Sequence, residues 1–397
     1  MNNSKQILIF SHNYFPNIGG AEVAIKEITE RIKSARFVMI TALRDRSLPR
    51  EEKKGTVSIY RIGFGYGKLD QYLYPFLAPF KARKLHKEFE FDITWAMMPS
   101  QAGMAATIFH FMKREVPYLL SDQSGDSAFF WGVRTILWKP LFKQIFKHAD
   151  HIQVLSKFLG DKARSMGYKG EISIIPNGVD LGHFSTASNH VLAKVLKKEL
   201  NISVDEKIII TTSRLVVKNA IEIVLNAIAK LEDKRSRKKH DNGPIYKFLI
   251  LGTGDFSENL KLITRMLKIE DKVLFLGDID NDLIPRYLGI SDVFTRPSRS
   301  EGQGISFIEA MAAGVPVVAT PVGGIPDFLI DGETGLFAQV DNANDLADKL
   351  EMAATDKKLR ERIITNAKKV VLDKYDWDIL AKEMDNMFDK VILSKNR

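Results

Sequence analysis

The chain has 397 residues, more than one ordinary hydrophobic core accommodates, so the sequence predicts two domains. With 45% hydrophobic and 27% charged residues it has the composition of a globular protein, and no apolar run approaches the roughly 20 residues of a membrane-spanning helix. The absence of cysteine excludes disulfides and thiolate chemistry and favours a cytoplasmic location. The first residues contain neither a long apolar stretch nor a small-residue cleavage site, so we expect no signal peptide.

The net charge of +9 is unevenly distributed. Residues 1–185 contain 26 lysines and arginines against 17 aspartates and glutamates, whereas residues 186–397 contain 32 of each. A basic half attracts polyanions such as anionic lipid, or it is simply a basic surface, and the sequence leaves both open. No nucleic-acid recognition motif accompanies the charge, so we do not expect a nucleic-acid partner.

Short β-branched runs alternate with helical patterns along the whole chain, which is typical of βαβ units and parallel sheets. The first series of predicted strands is 6–11, 36–41, 57–62, 92–98, 117–121, 151–155 and 172–176. The second series is 207–212, 246–251, 272–276, 292–296 and 315–320. Each series predicts its own doubly wound α/β sheet.

A polar stretch at about 184–205 separates the two series. The sequence therefore predicts one Rossmann-like domain over residues 1–185 and another over 186–375. Residues 377–392 have the pattern of an amphipathic helix, and we expect 376–397 to cross back to the N-terminal domain.

A glycine pair, Gly19 and Gly20, lies between the first predicted strand and the first helix. Paired glycines there allow the backbone to approach a phosphate or a sugar without side-chain interference. Many turns contain such a pair, so it is weak evidence of a site by itself.

A basic aromatic segment spans residues 129–148. It interleaves aromatic residues with lysines, namely Trp131, Trp138, Phe142 and Phe146 with Lys139, Lys143 and Lys147. Such a helix could lie in the interface of an anionic membrane. Alternatively, it could pack its aromatic side chains into the core while the lysines face water.

Two cations, Arg214 and Lys218, follow the first strand of the second series, in the turn before a helix. Fixed cations at the carboxyl edge of a sheet match the charge of a diphosphate and could stabilise it as a leaving group. An exposed basic turn is the alternative. Asp278 and Asp280 follow another strand and could form a metal pair. Because their loop follows the strand directly, we expect it instead to line the side of the binding site that holds a nucleobase.

Two glutamates, Glu301 and Glu309, flank a glycine-rich turn at the start of a predicted helix in "SEGQGISFIEAMAAG". The free N–H groups of a helix N-terminus favour an anion, so glutamates there need another task. Accepting hydrogen bonds from vicinal hydroxyls, a ribose at one and a hexose at the other, is the best candidate. The alternative is that both glutamates cap the helix or bond its first-turn amides.

Together these stretches resemble a family 4 retaining glycosyltransferase with the GT-B fold. The resemblance covers nearly the whole chain, with motifs in the family's order: "GGAE" (19–22), "IIPNGVD" (174–180), "SRLVVKN" (213–219), "LILGTGD" (249–255) and "SEGQGISFIEAMAAGVPVVATPVGGIPDFLIDGETGLF" (300–337). The last stretch, with seven residues between the paired glutamates, is highly specific. The others are individually weak.

The resemblance implies a two-domain α/β enzyme, with two doubly wound Rossmann-like domains facing a cleft that holds the active site. The C-terminal domain would bind a nucleotide-sugar donor, and the N-terminal domain would receive the acceptor. The family retains the anomeric configuration, and the resemblance implies neither a cofactor nor a metal, because fixed positive groups stabilise the departing diphosphate.

The resemblance also implies roles for individual residues. Arg214 and Lys218 would hold the diphosphate, helped by the backbone of Gly19 and Gly20. Glu309 would accept hydrogen bonds from the ribose hydroxyls. Glu301 would bind the transferred sugar together with the donor-binding turn that continues to the helix start: Gly302, Gln303, Gly304 and Ile305.

One position departs from the commonest pattern of the family. Many members have a histidine near the end of the strand at 117–121, close to the sugar, where this chain has Gln123, followed by Asp126. We expect Asp126 to orient the sugar or an acceptor hydroxyl.

The function implied is transfer of a hexose from a UDP- or GDP-linked sugar to a saccharide or lipid-linked acceptor, in cell-surface polysaccharide or glycolipid synthesis. The expected location is cytoplasmic, including the inner face of the plasma membrane. Two alternatives stay open: a nucleotide-sugar epimerase, and a non-catalytic nucleotide-sugar-binding subunit, which the missing histidine allows.

Overall fold

The computed structural model describes residues 4–16, 19–125, 139–185, 190–237 and 243–395. Contacts within the chain divide it into two compact units. The first unit comprises Met1–Asn177 together with Trp377–Arg397, and the second comprises Gly178–Asp376.

The strands of the first unit are β1 (Lys5–Phe10), β2 (Ala35–Ala42), β3 (Glu51–Lys54), β4 (Val57–Ile62), β5 (Ile93–Met97), β6 (Tyr118–Asp122), β7 (His151–Val154) and β8 (Ile172–Ile174). Those of the second unit are β9 (Glu206–Thr212), β10 (Ile245–Leu251), β11 (Val273–Gly277), β12 (Val293–Arg296), β13 (Val317–Ala319) and β14 (Leu336–Phe337).

The helices, in chain order, are α1 (Gly20–Arg31), α2 (Lys68–Phe89), α3 (Gln101–Met112), α4 (Lys139–Lys147), α5 (Lys157–Ser165), α6 (Leu181–Ser185), α7 (His190–Glu199), α8 (Ile221–Arg237), α9 (Ser257–Met266), α10 (Ile284–Gly289), α11 (Ile305–Ala312), α12 (Ala343–Thr355), α13 (Lys357–Lys374) and α14 (Trp377–Lys395). Short 3₁₀ turns lie at Val217–Asn219, Glu270–Lys272, Asn281–Leu283 and Ile325–Asp327.

The sheet of the first unit has the order β3-β4-β2-β1-β5-β6-β7-β8. All neighbours run parallel except β3, which pairs antiparallel with β4. The strand order reverses at β1, which lies between β2 and β5. Strand β3 was not predicted because its residues Glu51–Lys54 are all charged and mostly exposed, so no apolar alternation indicates an edge strand.

The sheet of the second unit has the order β11-β10-β9-β12-β13-β14, and every pair is parallel. The strand order reverses between β9 and β12. In both sheets the central strands are continuous apolar runs, such as the fully buried Ile208–Ile210 of β9, because helices cover both faces. The predicted GT-B class, with two parallel α/β domains, is confirmed.

The C-terminal helix α14 packs on the first unit. Trp377 and Phe388 are buried in the cluster that contains the β1 and β5 side chains, and the rings of Phe388 and Trp95 are 5.4 Å apart. The Lys5 ammonium lies 2.5 Å from the carboxylate of Asp385 on α14. Apolar burial of one face of an amphipathic helix explains this docking.

The domain boundary differs from the one expected at 185/186. Residues 178–185 belong to the second unit, because Val179 and Phe184 are buried in its core and the Val179 N–H donates to the Tyr375 carbonyl at 2.8 Å. The boundary between the units therefore lies before the polar stretch at 184–205, and helices α6 and α7 belong to the second unit.

Within the described ranges, none of the helices is both long enough and apolar enough to cross a membrane.

Candidate active site

The loops after β9 and β12 meet at the point where the strand order of the second sheet reverses. Arg299, in the loop after β12, joins them: its N–H donates to the Lys218 carbonyl at 2.8 Å, and its guanidinium donates to the Val217 carbonyl at 2.6 Å. The same guanidinium pairs with Glu222 at 2.6 Å and Asp341 at 2.8 Å. Ligands of open α/β sheets bind outside the carboxyl ends of the strands at this kind of switch point.

Arg214 and Lys218 both lie on the loop after β9. Arg214 is exposed, and among the described residues its guanidinium has no hydrogen-bond or ion-pair partner. Lys218 is half-buried in the 3₁₀ turn Val217–Asn219, and Asn219 donates its side-chain N–H to the Arg214 carbonyl at 2.7 Å. The turn is thus fixed by its own backbone while the Arg214 charge is available to an anion.

The glycines of "LGTGD" (251–255), in the loop after the neighbouring strand β10, determine how closely the two loops approach. A Cβ on Gly252, whose φ is +129°, would lie 2.0 Å from the Ser213 carbonyl oxygen, and one on Gly254 would lie 2.3 Å from that of Leu215. The Leu215 N–H donates to the Thr253 carbonyl at 2.8 Å. Only glycine allows the two loops to approach so closely.

Glu301 lies in the loop after β12 and has two protein partners. One carboxylate oxygen is 2.5 Å from the Arg296 guanidinium, and the other accepts the Gly302 N–H at 3.1 Å. Arg296, the last residue of β12, is buried, donates to the Ser306 hydroxyl at 3.0 Å and lies over the Phe307 ring at 4.5 Å. The arginine therefore fixes the position of the Glu301 carboxylate.

The loop after β13 supports the Glu301 backbone. The Gly324 N–H donates to the Glu301 carbonyl at 3.1 Å, and the Thr320 hydroxyl donates to the Ser298 carbonyl at 2.5 Å. A Cβ on Gly323, whose φ is +57°, would lie 1.8 Å from the Glu301 carbonyl oxygen. This contact explains the glycine pair of "PVGG".

The remaining residues that were predicted to bind the nucleotide-sugar donor form the turn into α11. Gly302 and Gln303 are buried, and Gly304 precedes the helix with a φ of +89°, where a Cβ would lie 2.5 Å from the Phe307 ring. Ile305 begins the helix. No acidic residue lies in the first turn of α11, so the positive end of the helix is open to an anion.

Glu309 lies beyond the first turn of α11, and within the described residues its carboxylate receives no hydrogen bond. The capping alternative therefore does not describe it. Burial raises the pKa of Glu309 to about 7, an effect that the nearby Arg296 charge partly opposes. A carboxyl group in these surroundings lacks hydrogen-bond donors, which sugar hydroxyls could supply.

In the first unit, Gly19 is the N-cap of α1 and Gly20 its first residue. Both are exposed, and a Cβ on Gly20 would meet no atom within 4 Å. Glu22 is buried in the first turn, and its carboxylate accepts the Asn13 side-chain N–H at 3.3 Å. Burial raises the pKa of Glu22, whereas hydrogen bonds from its own and the Gly19 backbone amides and from Asn13 oppose the shift. The chain's own carboxylate thus occupies part of this helix N-terminus.

The loops after β1 and β5 meet where the strand order of the first sheet reverses. The His12 ring lies 3.4 Å from the Ser100 hydroxyl. Burial, together with the Arg44 charge, lowers the pKa of His12 to about 4, so the ring is neutral at pH 7. This pair is a second polar group at the carboxyl edge of a sheet.

Gln123, which we expect at the position of the family's histidine, accepts a hydrogen bond from Asn177 at 3.1 Å. The preceding Asp122 is fully buried, accepts from Ser124 and lies 3.4 Å from the Lys162 ammonium. These bonds fix the chain as far as residue 125. Asp126 lies outside the described residues.

The segment 129–148 is described only from residue 139 onwards, and Trp131 and Trp138 lie outside that part. In α4, Phe146 is fully buried and Phe142 packs against the core, whereas Lys143 and Lys147 are exposed. The described part thus follows the packing alternative.

In the loop at 277–282, Asp280 accepts the Asp282 N–H at 3.2 Å. No group of three or more metal-ligating side chains occurs among the described residues.

Sequence reasoning missed Arg296, Arg299 and His12. Arg296 was counted only as the end of a strand, and Arg299 only as a loop residue. The signal that could have found both arginines is their spacing, since each lies within five positions of Glu301 at the carboxyl end of a buried strand.

The fold and this arrangement define a protein of the two-domain GT-B glycosyltransferase class. The family model described as "Glycosyltransferase Family 4" matches residues 18–183, and the model described as "Glycosyl transferases group 1" matches residues 193–370. The two models together span most of the chain, which belongs to this glycosyltransferase family.

Individual proteins agree with this assignment. The chain is 30% identical to an uncharacterized glycosyltransferase of Methanocaldococcus jannaschii, over 55% of this chain and 54% of that protein. It is 26% identical to the alpha-monoglucosyldiacylglycerol synthase of Streptococcus pneumoniae, over 79% of this chain and 70% of that enzyme. The match thus spans about half the length of the first relative.

A solved structure shares the fold. The structure of HepE from Anabaena in complex with UDP-glucose superimposes with a TM-score of 0.78 at 18% identity, covering 97% of this chain and 99% of that one.

Proposed function

We propose that this protein is a retaining glycosyltransferase that moves a hexose from a UDP- or GDP-linked sugar to a saccharide or lipid-linked acceptor. The second unit binds the donor and the first unit receives the acceptor. The observation that carries the proposal is the junction made by Arg299, which joins the loop carrying Arg214 and Lys218 to the loop carrying Glu301.

The donor chemistry follows from the charges at this junction. The exposed Arg214 guanidinium, together with Lys218 and the N-terminus of α11, suits the two negative phosphates of a nucleoside diphosphate. These fixed charges stabilise the leaving group in place of a metal ion, and the backbone at Gly19 and Gly20 is proposed to assist. The UDP-glucose bound by HepE supports a nucleotide-sugar donor.

The two glutamates recognise hydroxyl groups. Glu309, whose carboxylate lacks donors among the described residues, accepts hydrogen bonds from the ribose. Glu301 accepts them from the transferred hexose, beside the backbone of Gly302, Gln303 and Gly304. Because the Arg296 guanidinium occupies one side of the Glu301 carboxylate, Glu301 positions the sugar rather than acting as a nucleophile.

In the proposed reaction, the bond between the sugar C1 and the phosphate oxygen breaks, and its electron pair leaves with the nucleoside diphosphate. The acceptor hydroxyl attacks C1 from the same face, and its proton passes to the departing phosphate oxygen. Attack on the face that the leaving group vacates retains the anomeric configuration. Asp126 is proposed to orient the sugar or the acceptor hydroxyl.

The acceptor class is proposed from the relatives. The name of the Streptococcus enzyme describes synthesis of a glucosylated diacylglycerol, which supports a lipid acceptor in glycolipid or cell-surface polysaccharide synthesis. A lipid acceptor would place the protein on the inner face of the plasma membrane.

The experiment is a calorimetric titration with UDP, GDP and ADP and with their sugar conjugates, in the absence of divalent metal. We expect one nucleotide to bind selectively, and the corresponding sugar conjugate to be hydrolysed slowly or transferred when acceptors are added. If no nucleotide binds, the proposal is wrong. If a nucleotide sugar binds but no acceptor in a panel of lipids and saccharides is glycosylated, the chain is a binding subunit rather than an enzyme.

A further inference from the structure

Helix α2 of the first unit has apolar side chains on two opposite faces. Its inner face packs into the core through Tyr74, Ala78, Ala82 and Leu85. Its outer face presents Tyr72, Phe76 and Phe80, which are 67%, 58% and 63% exposed, together with the exposed Leu69 and Leu77. Apolar side chains on the outer face of a surface helix need something to cover them.

The loop before α2 presents two more aromatic residues in a fixed conformation. In "GFGYG" (63–67), Phe64 and Tyr66 are more than half exposed. Both of their backbone N–H groups donate to the buried carboxylate of Asp70. The three glycines of this loop have positive φ angles of 124°, 81° and 65°, which other residues rarely adopt. The aromatic side chains are therefore held outward by a buried hydrogen-bonded turn.

The second half of the outer face is basic. Arg83, Lys84 and Lys87 follow Phe80 on the same side of the helix, are exposed, and pair with no carboxylate among the described residues. At their helical spacing these three cations continue the line of Tyr72, Phe76 and Phe80, and the exposed Glu88 lies one turn beyond Lys84. The outer face thus changes along the helix from apolar to cationic.

A cationic cavity lies beside the aromatic loop. Its volume is about 350 Å³, and it is lined by Leu43, Arg46, Leu48, Arg50, Phe64 and Tyr66. Arg46 lies over the Tyr66 ring at 4.3 Å and donates to the Phe64 carbonyl at 3.1 Å. Among the described residues, the Arg50 guanidinium has no hydrogen-bond or ion-pair partner. Such a cavity suits a phosphate group that has an apolar portion next to it.

We propose that the outer face of α2, the loop 63–67 and the cavity form a docking surface for a bilayer that contains anionic phospholipid. The aromatic side chains enter the boundary between headgroups and acyl chains, where amphipathic rings are stable. The cations of the helix and of the cavity contact lipid phosphates. Charge complementarity selects this partner, because the basic excess of the chain lies in residues 1–185 and this surface combines unpaired cations with exposed aromatic groups.

This docking surface would place the proposed sugar transfer at a membrane. Only that purpose rests on the proposed function, because membrane binding itself needs no sugar transfer. The docking surface also changes the part of the chain involved: α2 replaces the segment 129–148, whose described part packs its aromatic residues into the core.

The test measures co-sedimentation of the full chain with vesicles, without donor or acceptor. We expect binding to vesicles of phosphatidylglycerol and phosphatidylcholine, at least tenfold weaker binding to phosphatidylcholine alone, and weakening at high salt. Phe76→Ser/Phe80→Ser and Arg83→Glu/Lys84→Glu should each reduce binding to anionic vesicles at least tenfold. The additional tryptophan fluorescence of Phe76→Trp, obtained by subtracting the spectrum of the wild type, should be quenched by brominated acyl chains.

The controls are matched pairs on the second unit. Leu262→Ser/Met266→Ser removes two exposed apolar side chains at the same spacing from α9, and Lys357→Glu/Lys358→Glu reverses two adjacent exposed cations on α13. Both should leave vesicle binding unchanged. Circular dichroism and the melting temperature establish that each variant is folded, and nucleotide titration of the same samples tests the donor site separately.

Undiminished vesicle binding by Phe76→Ser/Phe80→Ser would overturn the proposal and assign binding to another segment. Equal binding to neutral and anionic vesicles would overturn the part played by charge. If the wild type ignores vesicles but forms a dimer that the same double variant abolishes, a second copy of the chain covers α2 and the proposal is wrong. Loss of vesicle binding with nucleotide binding intact would support it.

Discussion

The Arg296 guanidinium lies 2.5 Å from the Glu301 carboxylate, at the point where β12 ends. Both side chains are largely shielded from solvent, so the pair is stronger than a surface salt bridge and costly to break from one side. Glu301 therefore presents its carboxylate in a single orientation. This pre-organisation is what a sugar-binding residue requires, because it spends no free energy on ordering the side chain when the donor arrives.

Glu301→Gln keeps the size of the side chain but removes its charge. We expect transfer to fall on the order of 100-fold, because an amide accepts weaker hydrogen bonds and leaves Arg296 unpaired. Nucleotide affinity, measured by calorimetry with the free diphosphate, should change by less than about threefold, since Glu301 is assigned to the sugar. Transfer at the wild-type rate by a folded Glu301→Gln protein would refute this assignment.

Arg214→Ala removes an exposed cation that has no partner within the described residues. We expect the diphosphate to bind about 10- to 100-fold more weakly, the scale of a charged hydrogen bond, and transfer to decline with it. Stability should not change, because no contact inside the protein is lost. Arg265→Ala, which removes an exposed arginine from α9, is the control and should leave nucleotide affinity as it is.

Glu309→Gln tests the raised pKa of this carboxyl. In the folded state Glu309 keeps its proton up to a pKa of about 7, above the ordinary value of 4.5, so the folded protein loses stability as pH rises from about 4.5 through 7. The glutamine variant lacks this loss. We expect its stability relative to the wild type to increase by about 3 kcal/mol between pH 4 and pH 8 in urea unfolding. A difference that is constant with pH would contradict the shift.

The same variant should bind the nucleoside more weakly at pH 8, where the wild-type carboxylate accepts two ribose hydroxyls. A 2′,3′-dideoxynucleotide provides the control, since Glu309→Gln and the wild type should bind it equally.

Gly323→Ala tests the close approach of two loops. A Cβ at this position would lie 1.8 Å from the Glu301 carbonyl oxygen, so the loop after β13 must shift and move Glu301. We expect a loss of roughly 3 kcal/mol or more in the free energy of unfolding. Gly277→Ala is the matched control: its φ of +73° is also left-handed, but no atom lies within 4 Å of its Cβ, so it should cost only about 1 kcal/mol. Similar losses in both variants would show that backbone strain alone matters.

Removal of metal tests the proposed use of fixed cations. Activity after dialysis against EDTA should stay within about twofold of that in added Mg²⁺, because Arg214 and Lys218 supply the positive charge. An activity that disappears with EDTA and returns with Mg²⁺ would assign charge stabilisation to the ion instead.

Much of the fold was predictable from the sequence because its central strands are buried on both faces. The runs at 207–212 and 246–251 have uninterrupted apolar centres at 208–210 and 248–251, and they coincide with β9 and β10 within a residue. The edge strand β3 could not be predicted, because Glu51–Lys54 are charged and mostly exposed and therefore show no alternation of apolar residues. The domain boundary was placed too late, because residues 178–185 look like a linker in sequence, whereas Val179 and Phe184 are buried in the core of the second unit.

The sequence by itself determined the strands of the two sheets and the residues that follow them, Arg214, Lys218, Glu301 and Glu309, since the alternation of strands with helices and the glycine-rich turns are local patterns. Only the tertiary structure decided the state of those residues. Arg296 became the partner of Glu301, and Arg299 the bridge to the Lys218 turn, through side chains that cross between loops distant in the chain. The pKa of Glu309 and the exposed aromatic face of α2 likewise depend on what each side chain is packed against, because solvent exposure and desolvation are properties of the folded chain.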